Sequence, residues 1–133
     1  MFPNHQPLRI LVVDDNRDAA SSLAILLRLW GHDARVAYDG LEALKLAQEF
    51  RPQVITLDIQ MPGMHGGEVA RILRGLPDFQ TTKIYATSAT EPHDSRFLAW
   101  RHFFDVHLGK PYNLQQLEEL LANRIRNDSE RRE

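Results

Sequence analysis

The chain of 133 residues contains no cysteine. That excludes disulfides, thiolate metal ligation and thiol catalysis, and it agrees with a reducing compartment. A charge excess of either sign is also missing: 16 Lys plus Arg stand against 18 Asp plus Glu, a formal net charge of -2. With no overall basic field for phosphate backbones, direct contact with nucleic acid is not expected. No run approaches the roughly 18 apolar residues needed to span a bilayer. The opening MFPNHQP lacks the basic region and apolar core of a secretory leader. A soluble, cytoplasmic protein is expected. Repeats, low-complexity stretches and linkers are absent too, and the length leaves no room for a second domain. The hydrophobic content of 43% can supply one core.

What is present alternates between two hydrophobic periods. RILVVDDN is a short β-branched run ending in two acids, and VITLD and KIYATSA repeat that form, with DVHLGK a weaker copy. These read as strands, as does DARVAY with Val36 and Tyr38 on one face. Between them apolar residues recur at helical spacing. Ala20, Leu23, Ala24 and Leu27 form one stripe, Ala43, Leu46, Ala47 and Phe50 a second, and Val69, Ile72, Leu73 and Leu76 a third. Asn16 is placed to cap the first helix, Gly31 to follow it, Pro52 to close the second and Pro77 to follow the third. Residues 94 to 103, DSRFLAWRHF, make a fourth helix with a weaker pattern. The fifth starts at Asn113, with Gln116 three residues on as in a capping box, and its stripe is Leu114, Leu117, Leu121 and Ile125. Five strands alternating with five helices predict an α/β fold with a parallel sheet covered on both faces, because each crossover between parallel strands is a helix.

In an open parallel sheet the functional crevice lies beyond the carboxyl ends of the strands, where the strand order reverses. Asp14 and Asp15 end the first strand, Asp58 the third, Ser88 the fourth and Lys110 the fifth, so all five are expected on one rim. Three carboxylates so close would repel one another unless cations compensate. The grouping therefore predicts a metal, and all-oxygen ligation on a shallow rim suits Mg²⁺ better than a Ca²⁺ cage. A carboxylate, Mg²⁺, a lysine and a hydroxyl make a site for a phosphoryl group: the metal and Lys110 neutralise its oxygens, Ser88 donates a hydrogen bond, and Asp58 attacks phosphorus. The Met-Pro-Gly turn after Asp58, in LDIQMPGMHG, then bends the chain back into the next helix.

VVDDN, LDIQMPGMHG, ATSA and LGKP, in that order and at those spacings, resemble the acidic pair, phosphoacceptor, hydroxyl and lysine-proline motifs of two-component response-regulator receiver domains. The resemblance runs from Leu8 to Ile125. It implies a flavodoxin-like, doubly wound sheet in order 2-1-3-4-5 with five helices, a receiver over 8–126, and tails at 1–7 and 127–133. It implies phosphoryl transfer from a histidine kinase or histidine phosphotransfer protein to Asp58, with no enzymatic turnover beyond the domain's own phosphorylation and dephosphorylation. Mg²⁺ is implied to be held by Asp15 and Asp58 directly, by the Gln60 main-chain carbonyl, and by Asp14 through water. A cis Lys110-Pro111 bond is also implied, as is a receiver dimer through the face formed by the fourth helix, fifth strand and fifth helix.

The chain departs from the pattern in places. His107 stands where receivers commonly carry the Tyr or Phe of an output switch, and an imidazole there can change rotamer or titrate near neutral pH. Phe103 replaces a common glycine and, with Trp100 and Phe104, makes a bulky apolar group expected to pack inside. Gly109 loosens the approach to Lys110, and Gln60 and Thr90 occupy positions that tune phosphoryl lifetime in the family. The histidines at 5, 32, 65, 93 and 102 show no metal spacing and are expected on the surface. Three other readings remain: a flavin-type binder, disfavoured by the acidic rim and the lack of a Gly-rich phosphate loop; a phosphotransferase or phosphatase with external turnover, for which no second general acid follows Asp58; and an unphosphorylated scaffold. Single-domain regulator, phosphate sink or shuttle in a relay, and segment of a hybrid kinase all fit the resemblance.

Overall fold

The computed structural model describes residues 7–88 and 98–132, with side chains described as far as Ile125. Strands β1 (Arg9–Val13), β2 (Asp33–Ala37), β3 (Val54–Asp58), β4 (Lys83–Ser88) and β5 (Val106–Gly109) form one parallel sheet in the order β2-β1-β3-β4-β5. Helices α1 (Arg17–Leu29), α2 (Gly40–Phe50), α3 (Gly66–Arg74) and the C-terminal helix (Leu114–Arg132) cover its faces. This is the parallel α/β sheet that the alternating periods predict, in the flavodoxin-like, doubly wound order that the resemblance implies.

The helix count differs from the expectation. Four α-helices stand among the described residues rather than five. Of the segment 94–103, residues 94–97 lie outside the described residues, as does Thr90; Leu98 is helical, and the chain then turns at Ala99 and Trp100 into a single 3-10 turn at Arg101–Phe103. The C-terminal helix continues to Arg132, past Ile125 and through most of the segment read as a tail.

Side-chain period divides the core in two. Alternate strand residues Ile10, Val12, Val54, Tyr85 and Leu108 meet Leu23, Leu27, Leu117 and Leu121 on the face of α1 and the C-terminal helix. Leu11, Val13, Ile55, Leu57 and Ile84 meet Ala43, Ala47, Val69 and Leu73 on the α2 and α3 face. Since a strand's successive side chains point to opposite faces, both faces of β1 and β3 must be apolar, and both are. Burying a leucine such as Leu27 or Leu73 contributes about 1.5–3 kcal/mol. The helix ends follow their signals: Asn16 Oδ1 accepts from Ala19 N–H (3.1 Å), Asn113 Oδ1 from Gln116 N–H (3.0 Å), and Arg51 takes the left-handed conformation that stops α2 before Pro52. Asn caps of this kind contribute about 1 kcal/mol each.

Two polar residues are placed where pattern alone would not put them. His32, expected outside, is buried, and its Nδ1 accepts the Leu8 N–H (3.1 Å). Arg124 is buried within the C-terminal helix.

Arg74, at the end of α3, joins four segments. It donates to the carbonyls of Phe79 (3.0 Å), Thr82 (2.8 Å) and Phe103 (3.1 Å), and pairs with Asp105 Oδ2 at 2.7 Å. Asp105 in turn accepts the Ile84 N–H (2.8 Å). Removing this guanidinium leaves three carbonyls and a carboxylate short of a donor, so Arg74→Ala is expected to cost roughly 2–3 kcal/mol in urea unfolding. Arg74→Lys, which cannot span the same fork, should recover less than half of that. A loss within 0.5 kcal/mol of zero would show that water replaces these bonds freely.

Candidate phosphoacceptor site

The site sits where the chain order turns. β1 lies between β2 and β3, so the crevice at its carboxyl end is the switch point of the sheet. Asp14 directly follows β1, Asp58 ends β3, Ser88 ends β4 and Lys110 follows β5. The structure thus brings the strand-end residues named from the sequence to one rim, and one carboxylate oxygen from each of Asp14, Asp15 and Asp58 lies within 4.8 Å of the others.

Asp14 is buried, and its two oxygens are committed separately. Oδ1 accepts the Asn16 N–H (3.0 Å), while Oδ2 accepts from Lys110 Nζ (2.9 Å). Asp15 is exposed. Asp58 is 6% exposed; its Oδ1 accepts the Gln60 N–H (3.2 Å), and its Oδ2 lies 3.5 Å from Lys110 Nζ. The ammonium therefore bridges two carboxylates on different strands. Ser88 is buried at the tip of β4, and its carbonyl accepts the Lys110 N–H (3.1 Å). The Lys110-Pro111 bond is cis.

One lysine cannot balance three acids. Burial pushes the Asp58 carboxyl up to about 7; Lys110 and the Gln60 N–H pull it down, while the charges of Asp14 and Asp15 raise it further. For Lys110, burial acts to lower the pKa, but the hydrogen bond to Asp14 and the charges of Asp58 and Asp14 outweigh it, and the net direction is upward. The lysine stays charged and the site keeps an excess of negative charge that a divalent cation would relieve. The all-oxygen donor set fits a hard cation such as Mg²⁺.

His107 lies half-buried in β5 opposite Ala86, so it shares the sheet face of Ala86 and Ser88 rather than that of Asp58. Two features of the surroundings escaped the sequence. The α3 N-terminus presses on the acceptor loop, with Gly66 N–H donating to the Ile59 carbonyl (2.9 Å). His65, expected on the surface, caps α3 by accepting the Gly67 N–H at Nδ1 (2.9 Å), and its ring stacks on Trp100 at 5.4 Å. Burial lowers the His65 pKa against the opposing charge of Glu68, which keeps Nδ1 available as an acceptor. His-Gly-Gly is not a signature that pattern reading picks out, because its role depends on Trp100 arriving from a distant segment.

Comparison with known proteins agrees with this geometry. Residues 10–122 match the response regulator receiver domain family. The chain is 37% identical over 123 residues to the DNA-binding response regulator MtrA of Mycobacterium tuberculosis (strain ATCC 25618 / H37Rv), covering 92% of this chain and 53% of that protein. It is 40% identical over 116 residues to response regulator MprA of Mycobacterium sp. (strain KMS), covering 87% and 48%. The chain thus spans about half the length of these curated relatives. Among solved structures, the chemotaxis response regulator CheY4 of Vibrio cholerae superposes with a TM-score of 0.79 at 28% identity, over 90% of this chain and 99% of that one.

Proposed function

The chain belongs to the response regulator receiver domain family, and from that premise we propose that it is a phosphoacceptor in which Asp58 takes a phosphoryl group from a histidine kinase or histidine phosphotransfer protein. The observation that carries this reading is the pairing of Asp58 with Lys110 beside two further acids. In the step, an Asp58 carboxylate oxygen forms a bond to phosphorus as the P–N bond of the donor phosphohistidine breaks, and the electron pair returns to the imidazole. Lys110 turns from Asp14 and Asp58 towards the incoming phosphoryl oxygens, and the Ser88 hydroxyl donates to one of them. Asp14, Asp15, Asp58 and the Gln60 carbonyl would hold Mg²⁺, which when bound supplies the positive charge that lets two anions meet.

His107, on the Ser88 side of the sheet, is the residue proposed to carry the change outward. The domain acts in the cytoplasm in this reading; among the described residues no helix is long and apolar enough to cross a membrane. DNA binding is named for the MtrA relatives, of which the match covers 53%; for this chain, with a net charge of -2, contact with a kinase or phosphotransfer protein is proposed and direct nucleic-acid contact is not.

The test is intact-mass spectrometry after incubation with acetyl phosphate, with and without Mg²⁺, for wild type and Asp58→Asn. A phosphoryl adduct is expected only for wild type and only with Mg²⁺. Wild type that stays unmodified at the shortest sampling times, while still binding Mg²⁺, would overturn the phosphoacceptor reading in favour of a scaffold.

A further inference from the structure

Lys110 must hold a long, flexible side chain in one place. Its ammonium lies 2.9 Å from Asp14 Oδ2 and 3.5 Å from Asp58 Oδ2, and a free lysine stem gives up roughly 2 kcal/mol of rotamer freedom to stay there. The backbone beneath it therefore has to be fixed. One tie is the hydrogen bond from Lys110 N–H to the Ser88 carbonyl. Pro111, next in the chain, has no N–H to add a second.

Tyr112 provides the second tie. Its ring is half-buried against the core cluster that contains Leu108, Leu117 and Leu121, and its phenol is hydrogen-bonded to the Thr87 side chain. Thr87 is buried, pairs in register with Asp58 on one side and Leu108 on the other, and so presents its hydroxyl on the Asp58 side of the sheet. The last two residues of β4 thus hold both flanks of the Lys110-Pro111 turn: Ser88 by its carbonyl and Thr87 by its hydroxyl. We propose that Tyr112 is a positioning residue for Lys110, its hydrogen bond to Thr87 keeping the ammonium between Asp14 and Asp58.

The phenol also lies within the field of the site. Burial raises its pKa, while Lys110 and the Thr87 bond oppose that rise, so it remains a neutral hydroxyl able to donate and accept. A phenylalanine would fill the same space, which separates the two roles of the residue. If Tyr112 only packs, loss of its oxygen leaves Lys110 untouched; if it positions, Lys110 is released.

The chain has three lysines, 45, 83 and 110, so limiting acetic anhydride followed by peptide mass spectrometry reads each amine separately. Tyr112→Phe and Thr87→Val should each raise the labelling of Lys110, relative to Lys45 and Lys83, by about five-fold, the equivalent of one net hydrogen bond. The double variant should exceed neither single by a comparable factor, because both remove the same bond. Thermal unfolding of each variant checks that the fold is retained. A second arm measures acetyl-phosphate labelling of Asp58: Tyr112→Phe should slow it several-fold with Lys110 present and leave it unchanged on a Lys110→Gln background. This inference deepens the phosphoacceptor reading, and the arms separate the two. Unchanged Lys110 acetylation in both variants overturns the positioning role, whatever happens to phosphorylation. Raised acetylation with no phosphorylation of wild type upholds the positioning role and sinks the phosphoacceptor reading alone.

Discussion

Asp58→Asn is expected to become more stable than wild type at pH 8, by up to about 4 kcal/mol in the absence of divalent cation. The sign follows from where the proton is held more tightly. The Asp58 carboxyl has its pKa raised from 3.8 to about 7 in the folded chain, so between those values the native state binds a proton that the unfolded state has released. Stability contributed by this group is then full below about pH 4, falls as pH rises, and levels off above about 7. Within that window each pH unit costs close to 1.4 kcal/mol. Above it, the folded protein holds a buried carboxylate against the charges of Asp14 and Asp15 with only Lys110 to offset them. An amide at position 58 carries no such charge at any pH. Urea unfolding with EDTA at pH 5, 6, 7 and 8 should give a declining profile for wild type and a much flatter one for Asp58→Asn. Parallel profiles would mean that solvent reaches Asp58 well enough to keep its pKa ordinary. Adding Mg²⁺ at pH 8 should recover stability in wild type and much less in the variant, since the cation binds the folded acid cluster. A site unstable when unfilled is consistent with one built for a cation and a phosphoryl group, because binding relieves the strain that folding imposes.

The second large effect is expected at Gly66. A Cβ there would lie 2.1 Å from the Asp58 carbonyl oxygen and 2.8 Å from the Ile59 Cα. Both are backbone atoms of the acceptor loop, and neither can rotate away. Gly66→Ala must therefore push α3 off β3 or displace the backbone of Asp58 itself. Overpacking of this sort costs about 1–3 kcal/mol or more, and the functional loss should be larger. Misplacing a reacting group by about 1 Å can slow a step on the order of 100-fold, and the acceptor carboxylate is attached to the backbone that has to move. Gly109→Ala is the matched control: nothing lies within 4 Å of a Cβ at that position, although Gly109 adjoins Lys110. Acetyl-phosphate labelling and urea unfolding of the two variants should separate cleanly. Labelling of Gly66→Ala at the wild-type rate would show that α3 shifts without disturbing Asp58.

The candidate site was largely legible because its logic is local. Asp14, Asp58, Ser88 and Lys110 each stand at or just past the end of an apolar run, and parallel strands carry all such ends to one rim whatever the loops do. Helix stripes and caps were equally readable: Ala20, Leu23, Ala24 and Leu27 are all buried, and Asn16 and Asn113 accept the hydrogen bonds that their positions suggested. The segment 94–103 can be compared only in part: residues 94–97 lie outside the described residues, Leu98 is helical, and Arg101–Phe103 form a 3-10 turn whose aromatic residues are placed by what they meet. Trp100 lies on Gly67 and His65, and Phe103 hands its carbonyl to Arg74.

The sequence by itself determined the strand and helix alternation, the parallel sheet and the convergence of acids and lysine, since these follow from periodicity and from the direction in which a strand ends. Tertiary structure alone decided the contacts between residues that no period relates: Arg74 with Asp105, Gly66 against the backbone of Asp58, and Tyr112 with Thr87. The height of the Asp58 pKa likewise follows from its burial and from the charges of Lys110, Asp14 and Asp15 that packing brings beside it. Burial, close approach and hydrogen-bond partnership come into being only when distant segments are packed, and the chemistry of the rim depends on them.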